Sequence, residues 1–218
     1  MREYETEEQQ IEALKKWWHE NGTSLIIGLA LGLAGIFGGR YYLNMQKQKS
    51  ESAGDLYYQV AAQVNQKHEE AAIEASDKLF TDYKSTPYAS LASLLMAHYE
   101  YENSKTDESI KQLNRVIDNA EQPELKNIAR LRLARIQIAS KKYDAAESLL
   151  AEKHAPAFDA EFEELKGDIY VAKNEVDKAR AAYDKAIEAS TGNASELLHL
   201  KRLDLGNVDA TNPARPPA

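Results

Sequence analysis

Near the start of an otherwise polar chain stands "ENGTSLIIGLALGLAGIFGGRYYLN", and the run inside it limits every fold that can follow. From residue 21 to residue 39, nineteen positions carry no charge. At 1.5 Å of rise per helical residue they reach roughly 28 Å, about the thickness of a bilayer's hydrocarbon core. A cleaved signal peptide, a buried core helix and a permanent anchor compete for such a run. A signal peptide has a short basic leader, an apolar stretch of about 7–15 residues and a small-x-small cleavage site. Here the leader sets Arg2, Lys15 and Lys16 against Glu3, Glu5, Glu7, Glu8, Glu12 and Glu20, and cutting at Ala30/Gly32 or Gly32/Ala34 would leave half the run on the mature chain. Length and charge together favour an uncleaved membrane anchor over residues 23–43.

The flanks suit that reading. Thr6 followed by Gln9 forms a capping-box pattern that opens a helix. Ile11, Leu14, Trp17 and Trp18 recur on one face before Asn21-Gly22 interrupts, which predicts a short amphipathic helix ahead of the span. The two tryptophans and, at the far end, Tyr41 and Tyr42 match the aromatic belts of the two interfaces, with Arg40 able to reach the headgroups. Orientation does not follow, because Arg2, Lys15 and Lys16 before the span balance Arg40, Lys47 and Lys49 after it. Within the span Gly28, Gly32, Gly35 and Gly39 fall, at 100° per residue, within about 60° of one another. Two G-x-x-x-G pairs on one face let a second membrane helix approach closely, so the four are candidates for a packing surface.

Beyond the span the chain reads as helix. Between residues 50 and 206 the prolines are Pro87, Pro123 and Pro156, spaced 36 and 33 residues apart, a period that calls for a repeat search. "LKGDIYVAKNEVDKARAAYDKAI" (165–187) superposes on "RLARIQIASKKYDAAESLLAEK" (132–153) with an offset of 33. Gly167 falls on Ala134, Val176 on Tyr143, Ala179 on Ala146 and Tyr183 on Leu150. The later copy resembles the tetratricopeptide repeat: Gly167, Tyr170, Ala179, Tyr183 and Ala186 supply its small, aromatic, small, large and small positions. Small residues let paired helices approach, and the large ones fill the spaces between turns. The copy at 128–153 has Gln137 at the aromatic site and Lys153 at the last small one. A weaker copy at 96–117 aligns Ala97, Ser109 and Leu113, and residues 55–83 read as a further helix pair without the full signature. The stretch "ASELLHLKRL" suits a closing helix, and residues 206–218 have the composition of a disordered tail. The expected fold is all-α: one transmembrane helix, then a tetratricopeptide-like α-solenoid.

Chemistry is absent from the pattern. The formal charge of −8 divides into four basic against six acidic residues up to residue 43 and 23 against 29 beyond it, so no basic tract is available for nucleic acid. With no cysteine there is no disulfide, thiolate metal site or cysteine nucleophile. His19, His68, His98, His154 and His199 are scattered and form no H-x-x-x-H pair, and no G-x-S-x-G elbow occurs. No enzyme, metal or cofactor is implied. Repeat grooves that clamp a chaperone's C-terminal carboxylate use lysines and asparagines. The matching positions here hold Glu161, Glu164 and Asp168 in the last repeat and Leu91, Leu94 and His98 in the first copy, so that clamp is missing. Arg130, Arg132 and Arg135 cluster on one helix, either as a solvated basic face or as part of a groove.

The order of parts, "REYETEEQQIEALKKWWHENG", a glycine-rich span ending "GGRYY", "GDLYYQVA" and then the repeats, resembles the YfgM-type ancillary subunits of the bacterial SecYEG translocon. The resemblance runs from about Glu3 to Leu205 and leaves the tail unmatched. It implies a single-pass inner-membrane protein with a cytoplasmic leader (1–22), an anchor (23–43), a periplasmic repeat domain (50–205) and a tail (206–218). It also implies partners, namely the translocon, a PpiD-type membrane chaperone and unfolded secretory proteins handed on to periplasmic chaperones. Two other readings fit the same residues. One is a structural envelope scaffold that links membrane complexes without touching clients; the other is a regulator whose leader is the functional end.

Overall fold

The computed structural model describes residues 7–206, so the Thr6 cap and residues 207–218 of the tail lie outside the described residues. Among the described residues there is no strand. The order is α1 (Glu7–Asn65), α2 (Glu69–Tyr83), α3 (Pro87–Glu102), α4 (Thr106–Asn119), α5 (Pro123–Ala139) and α6 (Tyr143–Ala151). A 3-10 turn (Pro156–Phe158) then leads into α7 (Asp159–Ala172), α8 (Val176–Ala189) and α9 (Glu196–Asp204). The all-α expectation is borne out. The chain divides into two compact units between Glu51 and Ser52.

The expected break at Asn21-Gly22 does not occur; α1 runs 59 residues without interruption. The Asn21 amide donates to the Trp17 carbonyl one turn back at 3.1 Å, which holds it on the helix instead of in a turn. Gly22 lies under the Trp18 indole, where a Cβ would stand 3.2 Å from Cε2. A mid-helix glycine is about 1 kcal/mol worse than alanine, too little to break a helix continued on both sides. Leu25, Ile27, Leu31 and Phe37 are 51–69 % exposed, and this is the described helix long and apolar enough to cross a membrane.

The second unit repeats one turn four times. At the end of each first helix the chain passes through a left-handed residue, Lys67, Ser104, Lys141 or Asn174, with φ near 60°. The N–H after it, on His68, Lys105, Lys142 or Glu175, donates to the carbonyl five residues back, on Gln63, Glu100, Gln137 or Tyr170, at 2.8–2.9 Å. That is the long bond of a Schellman cap, and it offsets the 1–2 kcal/mol or so that a non-glycine residue gives up in this conformation. The same four residues then accept the first bond of the next helix, from Ala72, Ser109, Ala146 and Ala179 at 3.0–3.1 Å. Proline stands at the first position of α3 and α5, where its missing N–H leaves no bond unmade.

Each of the first three cores joins a helix pair to the helix that follows it, and the last joins α8 to α9. One holds Val60 of α1, Leu79 of α2 and Met96 of α3; the next Ala97, Leu113 and Leu133; the third Ala134, Leu150 and Phe162; the last Tyr183, Ala186 and Leu198. This nearest-neighbour arrangement is that of a repeat stack, with α9 as its closing helix. The α6 helix has nine residues where α4 and α8 have fourteen, so Lys153 falls beyond its end and is exposed. His154 fills the missing turn by stacking on Phe162, rings 3.8 Å apart and 12° from parallel.

Candidate functional site

The repeat register places four pairs at equivalent positions on the first and second helices: Val60 and Ser76, Ala97 and Leu113, Ala134 and Leu150, Gly167 and Tyr183. All are buried. Where one member is large its counterpart is small, as expected of a space filled to fixed density. The trade is tightest in the last pair, where a Cβ on Gly167 would stand 2.3 Å from Tyr183 Cε1. Ala146, Ala179 and Ala186 are fully buried as well. Tyr143 and Tyr170 are only half-buried, and Tyr170 has the ammonium of Lys178 on α8 over its ring at 5.6 Å. In the second pair the Ser109 hydroxyl donates to the Ala97 carbonyl at 2.7 Å, tying α4 to α3.

The groove positions of α7 are occupied from within. Lys201 of α9 reaches Glu164 at 2.7 Å and both Asp168 oxygens at 2.8 and 2.9 Å. The Tyr183 hydroxyl donates to the same Asp168 at 2.8 Å. Burial, and after it the Asp168 carboxylate, hold the Tyr183 phenol protonated well above its ordinary range. Burial opposes the charge of Lys201, but the hydrogen bonds to Asp168 and Glu164 outweigh it and raise the pKa. The Ser195 hydroxyl caps α9 at Leu198 N–H, and Arg180 donates twice to the Leu205 carbonyl.

Between α3 and α5 a cleft of about 280 Å³ stays open. Its floor is apolar, from Ala97, Leu113 and Ile136. His98 and Tyr101 of α3 face Arg132 and Arg135 of α5 across it. Residues three apart share a helix face while Arg130 does not. The structure therefore splits the arginine cluster: Arg130 donates to the Lys153 carbonyl at 3.0 Å, and the other two enter the cleft. Arg132 donates to the Leu94 carbonyl at 3.1 Å, and burial, then the charge of Arg135, pull its pKa below the ordinary value. No carboxylate forms an ion pair with Arg132 or Arg135 among the described residues; His98 has Glu102 at 3.3 Å.

The membrane-helix glycines meet nothing in this structure: a Cβ on Gly28, Gly32, Gly35 or Gly39 would have open space for 4 Å around it. No group of three or more metal-binding side chains occurs among the described residues. Sequence reasoning missed Lys201, because its partners lie 33 and 37 residues away on another helix. It also missed Glu100, which is 3 % exposed at the position where α7 carries Tyr170. The signal for Glu100 was a carboxylate standing at a repeat position that should be aromatic.

A family described as a tetratricopeptide repeat-like domain matches residues 15–207. An ancillary SecYEG translocon subunit of Escherichia coli strain K12 is 31% identical over 199 residues, covering 91% of this chain and 96% of the relative. Its namesake in Haemophilus influenzae is 31% identical over 196 residues, 89% and 95% of the two chains. That of Neisseria gonorrhoeae is 27% identical over 198 residues, again 89% and 95%. No solved structure matches. With the apolar helix stretch, repeats and closing helix all inside the matched residues 15–207, and relatives 31% identical over nine-tenths of the chain, the chain belongs to the family of ancillary SecYEG translocon subunits and is built on a tetratricopeptide repeat-like domain.

Proposed function

We propose that this protein is a non-enzymatic accessory of the bacterial Sec translocon, anchored in the inner membrane by residues 23–43. Its leader (1–22) lies in the cytoplasm and its repeat domain (50–205) in the periplasm. There the domain binds proteins and helps pass emerging polypeptides to periplasmic chaperones, with a PpiD-type membrane chaperone among its partners. The glycine face of the anchor, Gly28, Gly32, Gly35 and Gly39, is where another membrane helix packs. The observation that carries the reading is the likeness, over nine-tenths of the chain, to relatives named for their place at the SecYEG translocon. A stack of helix pairs that leaves clefts between its first helices suits extended or partly folded polypeptide.

The test is site-specific photocrosslinking in intact membranes from Tyr58, which is 72 % exposed at the start of the repeat unit. We expect adducts with translocon components, with a membrane chaperone and with a secretory protein arrested during export. Adducts with stable membrane partners and never with an exported chain would leave a structural scaffold in place of client handling.

A further inference from the structure

The α7 groove shows how this stack receives a helix, because α9 places the Lys201 ammonium on Glu164 and Asp168. Moved back along the repeat register, Asp168 becomes Arg135 on α5 and His98 on α3, while Glu164 becomes Leu131 and Leu94, each 5 % exposed. On α5 the sign of the receiving group is thus reversed, and the second polar position has turned apolar in both helices. Arg135 stands near enough to Arg132 to add to the burial that pulls its pKa down; the Leu94 carbonyl holds Arg132, and Glu102 stands beside His98. Below them lies the apolar floor of Ala97, Leu113 and Ile136, roofed by Tyr101, which is 44 % exposed. A space of about 280 Å³ falls just under the 300–1,000 Å³ or so of small-molecule pockets, so it suits one or two side chains of a polypeptide and not a cofactor.

We propose that the α3–α5 cleft takes an acidic, apolar segment of a partner polypeptide, with an aliphatic or aromatic side chain on the Ala97–Leu113–Ile136 floor and a carboxylate between Arg132 and Arg135. Charge complementarity carries the choice of occupant: the chain as a whole is acidic at −8, and this rim is cationic without a carboxylate to neutralise its arginines. The site rests on the reading of the domain as protein-binding and gives that reading an address. A carboxylate held by two guanidiniums on an exposed rim forms charge-assisted bonds that charge reversal abolishes and added salt weakens.

The experiment uses the full chain in detergent micelles and fluorescence anisotropy of a short labelled peptide of alternating glutamate and leucine, beside the same peptide with lysine for glutamate. The acidic peptide is expected to bind and the basic one not to. Arg135→Glu should weaken binding at least about tenfold, Arg135→Lys much less, and added salt should reduce the affinity of the parent protein. Arg135 is exposed and pairs with no acid, so its variants should keep the parent's melting curve; Tyr101→Glu, at the exposed rim, places a new negative charge beside the site, with the same expected loss. Equal binding of both peptides, or an acidic peptide indifferent to Arg135→Glu and Tyr101→Glu, overturns the site. If crosslinks from Tyr58 reach an exported chain while these arms fail, client handling stands and this cleft is not its address. If the peptide behaves as described and Tyr58 finds no exported chain, the cleft stands and serves another acidic partner.

Discussion

The second and fourth helix pairs share one backbone and treat it in opposite ways. In the fourth, Gly167 makes room for Tyr183, whose hydroxyl donates to Asp168, which in turn receives Lys201 from α9. In the second, Ala97 faces Leu113, which has no polar end; His98 stands exposed where Asp168 would be, and Glu100 is buried where Tyr170 would be. The end of a stack has no further pair to cover it and is closed by a polar network on its cap. An interior pair already has neighbours on both sides, so its polar positions can be left unclosed for a partner. Position in the stack, more than the repeat pattern, decides which polar groups are satisfied from within.

The largest way to break this comparison is at Gly167. A bare Cβ would stand 2.3 Å from Tyr183 Cε1, so the ring or α7 must move, and Tyr183 cannot move without leaving Asp168. Gly167→Leu should destabilise the repeat unit by on the order of 3 kcal/mol, or several degrees in melting temperature, and Gly167→Ala by about 1–2. Combining Gly167→Ala with Tyr183→Leu rebuilds the pairing of Ala134 with Leu150. The double variant should therefore recover much of the packing loss though not the hydroxyl bond, giving a coupling of opposite sign to the single effects. A melting curve unchanged by Gly167→Ala would show that this pair does not share one space.

Much of the fourth pair could be read directly from its residues, since Gly167, Ala179, Tyr183 and Ala186 stand at the small and large positions of the repeat pattern. The first pair was legible only as two helices, without its packing positions. Val60 and Ser76 exchange the large and small members, so a search for a small residue followed by a large one passes over them although the volume they fill is similar. The turns hid for a related reason: the left-handed positions hold Lys67, Ser104, Lys141 and Asn174, and the usual glycine signal is missing. In α1 the reverse happened. Asn21-Gly22 is a strong breaker locally, yet a contact with Trp18 and one hydrogen bond to Trp17 keep the helix running. The candidate cleft was half legible: Arg132 and Arg135 share a face by spacing alone, but only the fold brings His98 and Tyr101 across from them.

A smaller effect is expected at the closure itself. Lys201→Met keeps most of the length and removes the ammonium, leaving Glu164 and Asp168 facing each other partly buried and unneutralised. The loss should be about 1–2 kcal/mol, since each side chain retains roughly a quarter of its exposure and water can take part of the charge. Amide hydrogen exchange distinguishes the cap from the stack: protection in α9 should fall before that of α7 and α8. Unaltered protection in α9 would place the closure in the apolar contact of Leu198 and not in the network.

The smallest effect should run the other way, in the second pair. Glu100 is 3 % exposed; one oxygen accepts a long bond of 3.4 Å from the Gln112 amide, and the other has no partner. Burial is the main cause that raises its pKa, the Gln112 bond opposes it, and the charges of Glu108 and Glu69 add to the rise. For an acid the consequence is fixed in sign. The folded state holds its proton to higher pH than the unfolded chain, so this group's contribution is complete below the unfolded value near 4.5 and is lost as pH rises through the raised folded value. At neutral pH this group is therefore a net burden on the fold. Glu100→Gln removes the charge and gives the orphaned Gln112 Oε1 an amide to accept from, so the variant should be more stable at pH 7 by about 1 kcal/mol, a few degrees in melting temperature. The gain should shrink as the pH is brought down toward 4.5 and the parent's carboxyl takes up its proton. A gain that persists undiminished at that pH would mean that the amide pairing, and not the buried charge, is what separates this pair from the fourth.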